Sequence, residues 1–180
     1  MRSLLALFLI VPMAVAQNAS SSPAVAGKWV GVLQYRDYSE PATSTKRVEL
    51  PTWLVVTEGS PQVWHYTYDD GPAKTVVEDD AVVFDPVAGR YSVAENGKPA
   101  HAYAMTGWDG LKNGLGKLEM VGAGTDNGKP AEMHVVMTVG RNILRVVEET
   151  RPAGSAEAYA FRHEYRFVRA EPPVASGAVR

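Results

Sequence analysis

The segment GKWVGVLQYRDYS, residues 27–39, decides how this chain is read. Trp29, Gly31, Leu33 and Tyr35 share one parity, and Gln34 and Arg36 take the other. That period of two describes a strand with one buried and one wet face. Such a strand fits an open sheet, or the first wall of a ligand-binding barrel.

The chain beyond it repeats the same style. Val48, Leu50 and Thr52 begin a second extended region, which Pro51 interrupts and Trp53–Thr57 continues. Val63–Tyr68, Thr75–Val77, Ala81–Phe84, Arg90–Ala94, His101–Thr106 and Leu115–Val121 follow as short runs. Glu132–Val139, Ile143–Glu149 and Ala158–Val168 complete the series. Asp69-Asp70-Gly71-Pro72, Asn96-Gly97 and Asn127-Gly128 punctuate it. Asn-Gly suits a tight hairpin, because both residues accept positive φ. No long amphipathic helix shows, although Asp109–Met120 has room for a helical turn. The sequence therefore predicts an all-β fold, a single antiparallel up-and-down β-barrel of about ten strands. A β-sandwich is the alternative, because local patterning does not register closure.

The start of the chain reads as a targeting segment. Met1-Arg2 is basic, Ser3–Val15 is mostly apolar, and Ala14-Val15-Ala16 suits cleavage after Ala16. This predicts a signal peptide over 1–16, a flexible leader over 17–26, a barrel domain over 27–170 and a flexible tail over 171–180. The expected location is periplasmic or secreted, with no integral membrane segment once the signal is removed. The chain has no cysteine, so disulfides and lipid attachment through cysteine are excluded. Asn18-Ala19-Ser20 matches the glycosylation pattern. A net charge of −2 carries no footprint of a nucleic-acid binder.

Gly27-Lys28-Trp29 has the G-x-W form found on the first strand of lipocalins and related calycins, and the chain resembles that family at both ends. The resemblance implies a barrel whose tryptophan packs across one end beneath a basic residue from the last strand. Arg162 and Arg166 are the arginines expected to fill that part, with Gly27 and Trp29 as structural residues. About ten strands suit the fatty-acid-binding type of calycin as well as the eight-stranded lipocalins. The family's threonine–aspartate turn pattern has no clear counterpart, since Thr125-Asp126 lacks the later tyrosine.

Candidate ligand contacts follow from parity. Tyr159, Phe161, His163, Tyr165 and Phe167 share one face of the last strand, and Arg162, Glu164 and Arg166 share the other as an ion-pair strip. Trp64, Tyr66 and Tyr68 form another aromatic row, with His65 facing away. Aromatic walls with hydroxyl handles can orient a small ligand. The predicted pocket residues are Tyr35, Trp64, Tyr66, Tyr103, Met137, His163 and Tyr165. Trp108, in the glycine-rich stretch 107–116, fits a mouth loop, either touching ligand or tucking back as an anchor.

No cofactor or metal is predicted. His65, His101, His134 and His163 are dispersed, without H-x-H or H-E-x-x-H spacing. Asp37, Glu49, Glu58, Glu119 and Glu132 are scattered carboxylates, and no serine has a G-x-S-x-G context. The expected function is noncatalytic binding of a small apolar or amphipathic ligand outside the cytoplasm. Two alternatives stand beside it. One is a structural or accessory envelope protein acting through protein contacts. The other is a small hydrolase or isomerase using histidine and carboxylate groups.

Overall fold

The computed structural model describes residues 25–41, 44–112 and 114–170. The predicted signal segment, the glycosylation triplet, most of the leader and the tail 171–180 lie outside the described residues. The strands are β1 (Gly27–Arg36), β2 (Arg47–Val56), β3 (Gln62–Asp69), β4 (Thr75–Asp85) and β5 (Arg90–Glu95). They continue with β6 (His101–Thr106), β7 (Gly116–Asp126), β8 (Lys129–Val139), β9 (Ile143–Pro152) and β10 (Ala160–Arg169). One short helix, α1 (Trp108–Lys112), lies between β6 and β7.

Each strand pairs antiparallel with its sequence neighbours, and β1 also pairs with β10. The sheet is a closed barrel, so the sandwich alternative is set aside and no edge is left unpaired. Gly31 permits the closing seam. A Cβ there would stand 1.9 Å from the Arg166 carbonyl oxygen, so only glycine allows β1 and β10 to meet. At the β5 and β7 turns, Asn96 and Gly97, then Asn127 and Gly128, all have positive φ, as the hairpin reading expects.

Two expected interruptions are absent. Pro51 lies inside β2 with its side outward, opposite Val32. The acidic break at Glu78-Asp79-Asp80 is continuous strand, so Thr75–Val77 and Ala81–Phe84 are one element. In both places the ladder with one neighbour runs on through residues of poor strand propensity, β1 for Pro51 and β3 for Glu78–Asp80, and tertiary pairing outweighs the local preference.

The core lies inside the barrel and is concentrated at one end, the floor. Trp29, Leu54, Val82, Phe84, Leu118, Met120, Met137 and Leu144 are fully buried there. The helix α1 tucks Leu111 beneath the sheet, and Trp108 packs 5.4 Å from Phe84. Trp108 is thus a plug of the floor, the anchor version of its expected role. The outer face mixes charged residues with exposed apolar ones, among them Trp53, Val55, Val63, Val77, Val121, Ile143 and Val168. No helix among the described residues is long and apolar enough to cross a membrane. One outer row is apolar: Ile143, Val168, Val30 and Trp53 are successive cross-strand neighbours.

Candidate functional site

The end of the barrel opposite the floor is open. β5 and β6 have only six residues each, whereas β4 and β7 have 11. The wall is therefore low between them, beside the turn at Asn96–Lys98. Behind this notch is an interior cavity of about 210 Å³. Its apolar and aromatic lining comes from Tyr66, Tyr91, Val93, Tyr103, Val135, Val146 and Tyr165. Its polar lining is Glu78, Asp80, Glu95, Asn96, Lys98, Glu148, Arg162 and His163.

The tyrosines are held by strand geometry and by one another. Tyr66 stacks on Tyr68 at 5.8 Å and lies 5.3 Å from Tyr165. The Tyr68 and Tyr165 hydroxyls are 2.9 Å apart, and Tyr68 also donates to Glu78 at 3.2 Å. Tyr91 and Tyr103 are cross-strand partners with rings 5.8 Å apart. Opposite them Gly122 leaves room: a Cβ would meet the Tyr103 ring at 2.7 Å. Tyr66 and Tyr103 are more than nine-tenths buried, yet neither hydroxyl has a hydrogen-bond partner among the described residues. Both residues line the cavity. The one fully buried side-chain polar atom without a hydrogen bond among the described residues is instead Trp108 Nε1, in the floor.

The acidic side of the cavity comes from β4 and β5. Alternation puts Val76, Glu78, Asp80, Val82 and Phe84 on the inner face of β4, with Asp79 outside, bonded to His65 at 2.6 Å. Asp80 stands directly across from Glu95. Like charges in that position destabilise a sheet. Burial, then Glu95, Glu78 and Asp79, push the Asp80 carboxyl up to about 7, and Lys98 opposes them more weakly. Burial also lowers the His163 pKa, against the pull of Glu148. The Tyr103 hydroxyl is raised to about 12, mainly by burial.

The last strand departs from simple parity. A β-bulge lies between Phe161 and His163, with Arg162 as the extra residue. Such a bulge re-aims side chains. Phe161 therefore leaves the inner face and packs under the Arg47 guanidinium at 4.5 Å. Tyr159 also sits outside, 5.0 Å from His134. Arg162 instead joins the cavity wall, where it is ion-paired with Glu148. The expected outer strip contains Glu164 and Arg166, joined by Arg145 and Glu49, but not Arg162.

The end cap also differs from expectation. Neither Arg162 nor Arg166 covers Trp29. Arg169 does, with its guanidinium carbon 4.3 Å from the ring centre. Trp29 and Arg169 are partners in the register, so the capping arginine lies one residue beyond the run expected to end at Val168. Gly27 has φ +124°, and a Cβ there would meet the Arg169 guanidinium at 2.9 Å.

Of the seven predicted pocket residues, Tyr66, Tyr103, His163 and Tyr165 line the cavity. Tyr35 lines an adjoining groove with Leu33, Tyr38, Arg162 and His163. Trp64 and Met137 belong to the packed core and do not reach the cavity. Parity gave them the inner face but carries no information about height along the barrel. The scattered carboxylates expected from sequence line neither hollow. Glu78, Asp80, Glu95, Glu148 and Tyr91 were missed, the first two because an inward acidic pair looks like a break.

Another hollow at the rim lies between Arg36, Asp126, Lys129, Thr150 and Arg151, and both of its arginines are ion-paired within the protein. Arg36 pairs with Asp126 at 3.0 Å and Arg151 with Glu132 at 2.5 Å. No protein-family model, curated protein or solved structure gives a significant match to this chain.

Proposed function

We propose that this protein is a noncatalytic binder of a small amphipathic molecule, a calycin-type carrier or sensor working outside the cytoplasm. One observation carries the reading: Tyr66 and Tyr103 are more than nine-tenths buried side chains on the cavity wall, and their hydroxyls have no hydrogen-bond partner among the described residues. A guest that bonds them and covers the rings gains both polar and apolar contacts. The packed floor fits a receptacle with one entrance. It also keeps the fold independent of whether the cavity is filled.

A second reading, an acid–base enzyme, draws on His163 lying 3.7 Å from Glu148 in the same cavity as Asp80. Groups with shifted pKa values in a cleft are suited to proton transfer. That reading predicts a guest that is converted when it binds.

Native mass spectrometry of gently purified protein tests both. A stoichiometric adduct that is lost on unfolding and recovered unchanged supports the binder. Recovery of a chemically altered molecule supports the enzyme. A bare mass, together with no shift in melting temperature across a panel of small amphipathic compounds, overturns the binding function.

A further inference from the structure

The cavity is acidic on balance: Glu78, Asp80, Glu95 and Glu148 line it against Lys98, Arg162 and His163, and Lys98 offsets Asp80 only weakly. Arg162 is engaged by Glu148, and its Nε also lies 3.8 Å from Asp126. Glu78 accepts a hydrogen bond from Tyr68. Asp80 and Glu95 face each other across β4 and β5, and neither carboxylate has a hydrogen bond or salt bridge among the described residues. The fold thus holds a repulsive pair at its notch, beside the hydroxyls of Tyr66 and Tyr103, which have no hydrogen-bond partner among the described residues.

Such a violation of local preference is expected where a site is built for something else. An anion would add to the repulsion. A purely apolar guest would remove water from Asp80 and Glu95 without replacing it, which is costly for a carboxylate. A positively charged guest reverses both effects. Tyrosine π-faces attract a cation as well, and Tyr91, Tyr103 and Tyr66 supply them on the adjoining wall. A bare metal ion fits less well. Among the described residues no three carboxylate or imidazole groups converge to hold one.

We infer that the guest is an organic cation, a protonated amine on an aromatic or aliphatic body, with its nitrogen between Asp80 and Glu95 and its body against the tyrosines. The two open hydroxyls accept from the N–H groups or meet a polar group further along the guest. This inference rests on the binding function proposed above and specifies its ligand class.

Isothermal titration with three compounds of similar shape tests it: phenethylamine, 2-phenylethanol and phenylacetate. Near pH 8 the amine is protonated and Asp80 is ionised. The amine is expected to bind at least about tenfold tighter than the alcohol, a difference of about 1.4 kcal/mol, and phenylacetate weakest. Asp80→Asn is expected to lower amine affinity about tenfold while leaving the alcohol within about twofold. Tyr103→Phe, which keeps the ring and the charge, is expected to change amine affinity less than Asp80→Asn. Equal binding of amine and alcohol, or an unaffected Asp80→Asn variant, overturns the charge assignment and leaves the binding function standing. No binding of any of the three to folded protein, with a bare native mass, overturns both.

Discussion

The guanidinium of Arg169 lies 4.3 Å above the ring of Trp29, its register partner across the closing seam. The pair also ties down the chain before β1. The Trp29 indole N–H donates to the Val25 carbonyl at 2.9 Å, and Arg169 Nη1 donates to the Ala26 carbonyl at 3.0 Å. Val25 is fully buried as a result. Trp29→Ala is expected to cost about 3–5 kcal/mol. Arg169→Ala is expected to cost about 1 kcal/mol, and Arg166→Ala, at an exposed ion pair, less than about 1 kcal/mol. Urea unfolding of the three variants checks the order. An Arg166→Ala variant weaker than Arg169→Ala would reassign the cap.

Gly31→Ala addresses closure itself. Its Cβ has no room beside the Arg166 carbonyl, and backbone on both sides cannot rotate away as a side chain can. The expected loss is about 3 kcal/mol or more. Hydrogen exchange should localise the damage to β1 and β10. Wild-type protection of those strands in the variant would show that the seam is looser than described.

Two neighbouring tyrosines separate structure from site. Tyr68 is hydrogen-bonded to Tyr165 and Glu78, so Tyr68→Phe should cost about 1 kcal/mol. Tyr66 has no such bond among the described residues, so Tyr66→Phe should be neutral or slightly stabilising. Thermal unfolding of both variants decides the matter. Equal destabilisation would mean that Tyr66 is satisfied inside the protein.

The pH dependence of stability has a definite sign. Asp80 holds its proton in the fold up to about 7, whereas the unfolded chain releases it near the ordinary carboxyl value of 3.8. Between those values the folded state binds more protons, so stability falls as pH rises through the window. Asp80→Asn should abolish that fall and gain on the order of 1 kcal/mol near pH 8, allowing for partial exposure. His163 acts oppositely. Its folded pKa is lowered, so its contribution is present above 6.5 and is lost as pH falls below that value. Denaturant titrations across this range, in wild type and Asp80→Asn, check the slopes. Identical slopes would show that Asp80 is not desolvated.

Most of the barrel was legible in residue parity. Trp29, Leu33 and Tyr35, then Trp64, Tyr66 and Tyr68, then Met133 and Met137, all face inward as alternation implies. Turn chemistry placed Asn96-Gly97 and Asn127-Gly128 correctly. Closure was not legible, because it depends on β1 meeting β10 more than a hundred residues away. The bulge was also hidden. One extra residue at Arg162 exchanges the faces of Tyr159 and Phe161, and nothing in the local composition announces it. Part of the acidic wall of the site was concealed for a related reason. Glu78 and Asp80 obey the period of two but have the wrong polarity for an interior, so a hydrophobic pattern reads them as a gap.

The barrel's two ends differ in more than composition. The floor is a dense apolar plug around Trp29, Phe84 and Leu144, and the notch is bounded by two six-residue strands. Local opening is least costly where contacts are fewest. The β5–β6 hairpin is therefore the segment expected to fray first and the floor last. A guest held behind that hairpin would come and go on the timescale of its fraying. Residence time and global stability then become separate properties of the molecule, and a substitution in the floor can alter one without altering the other.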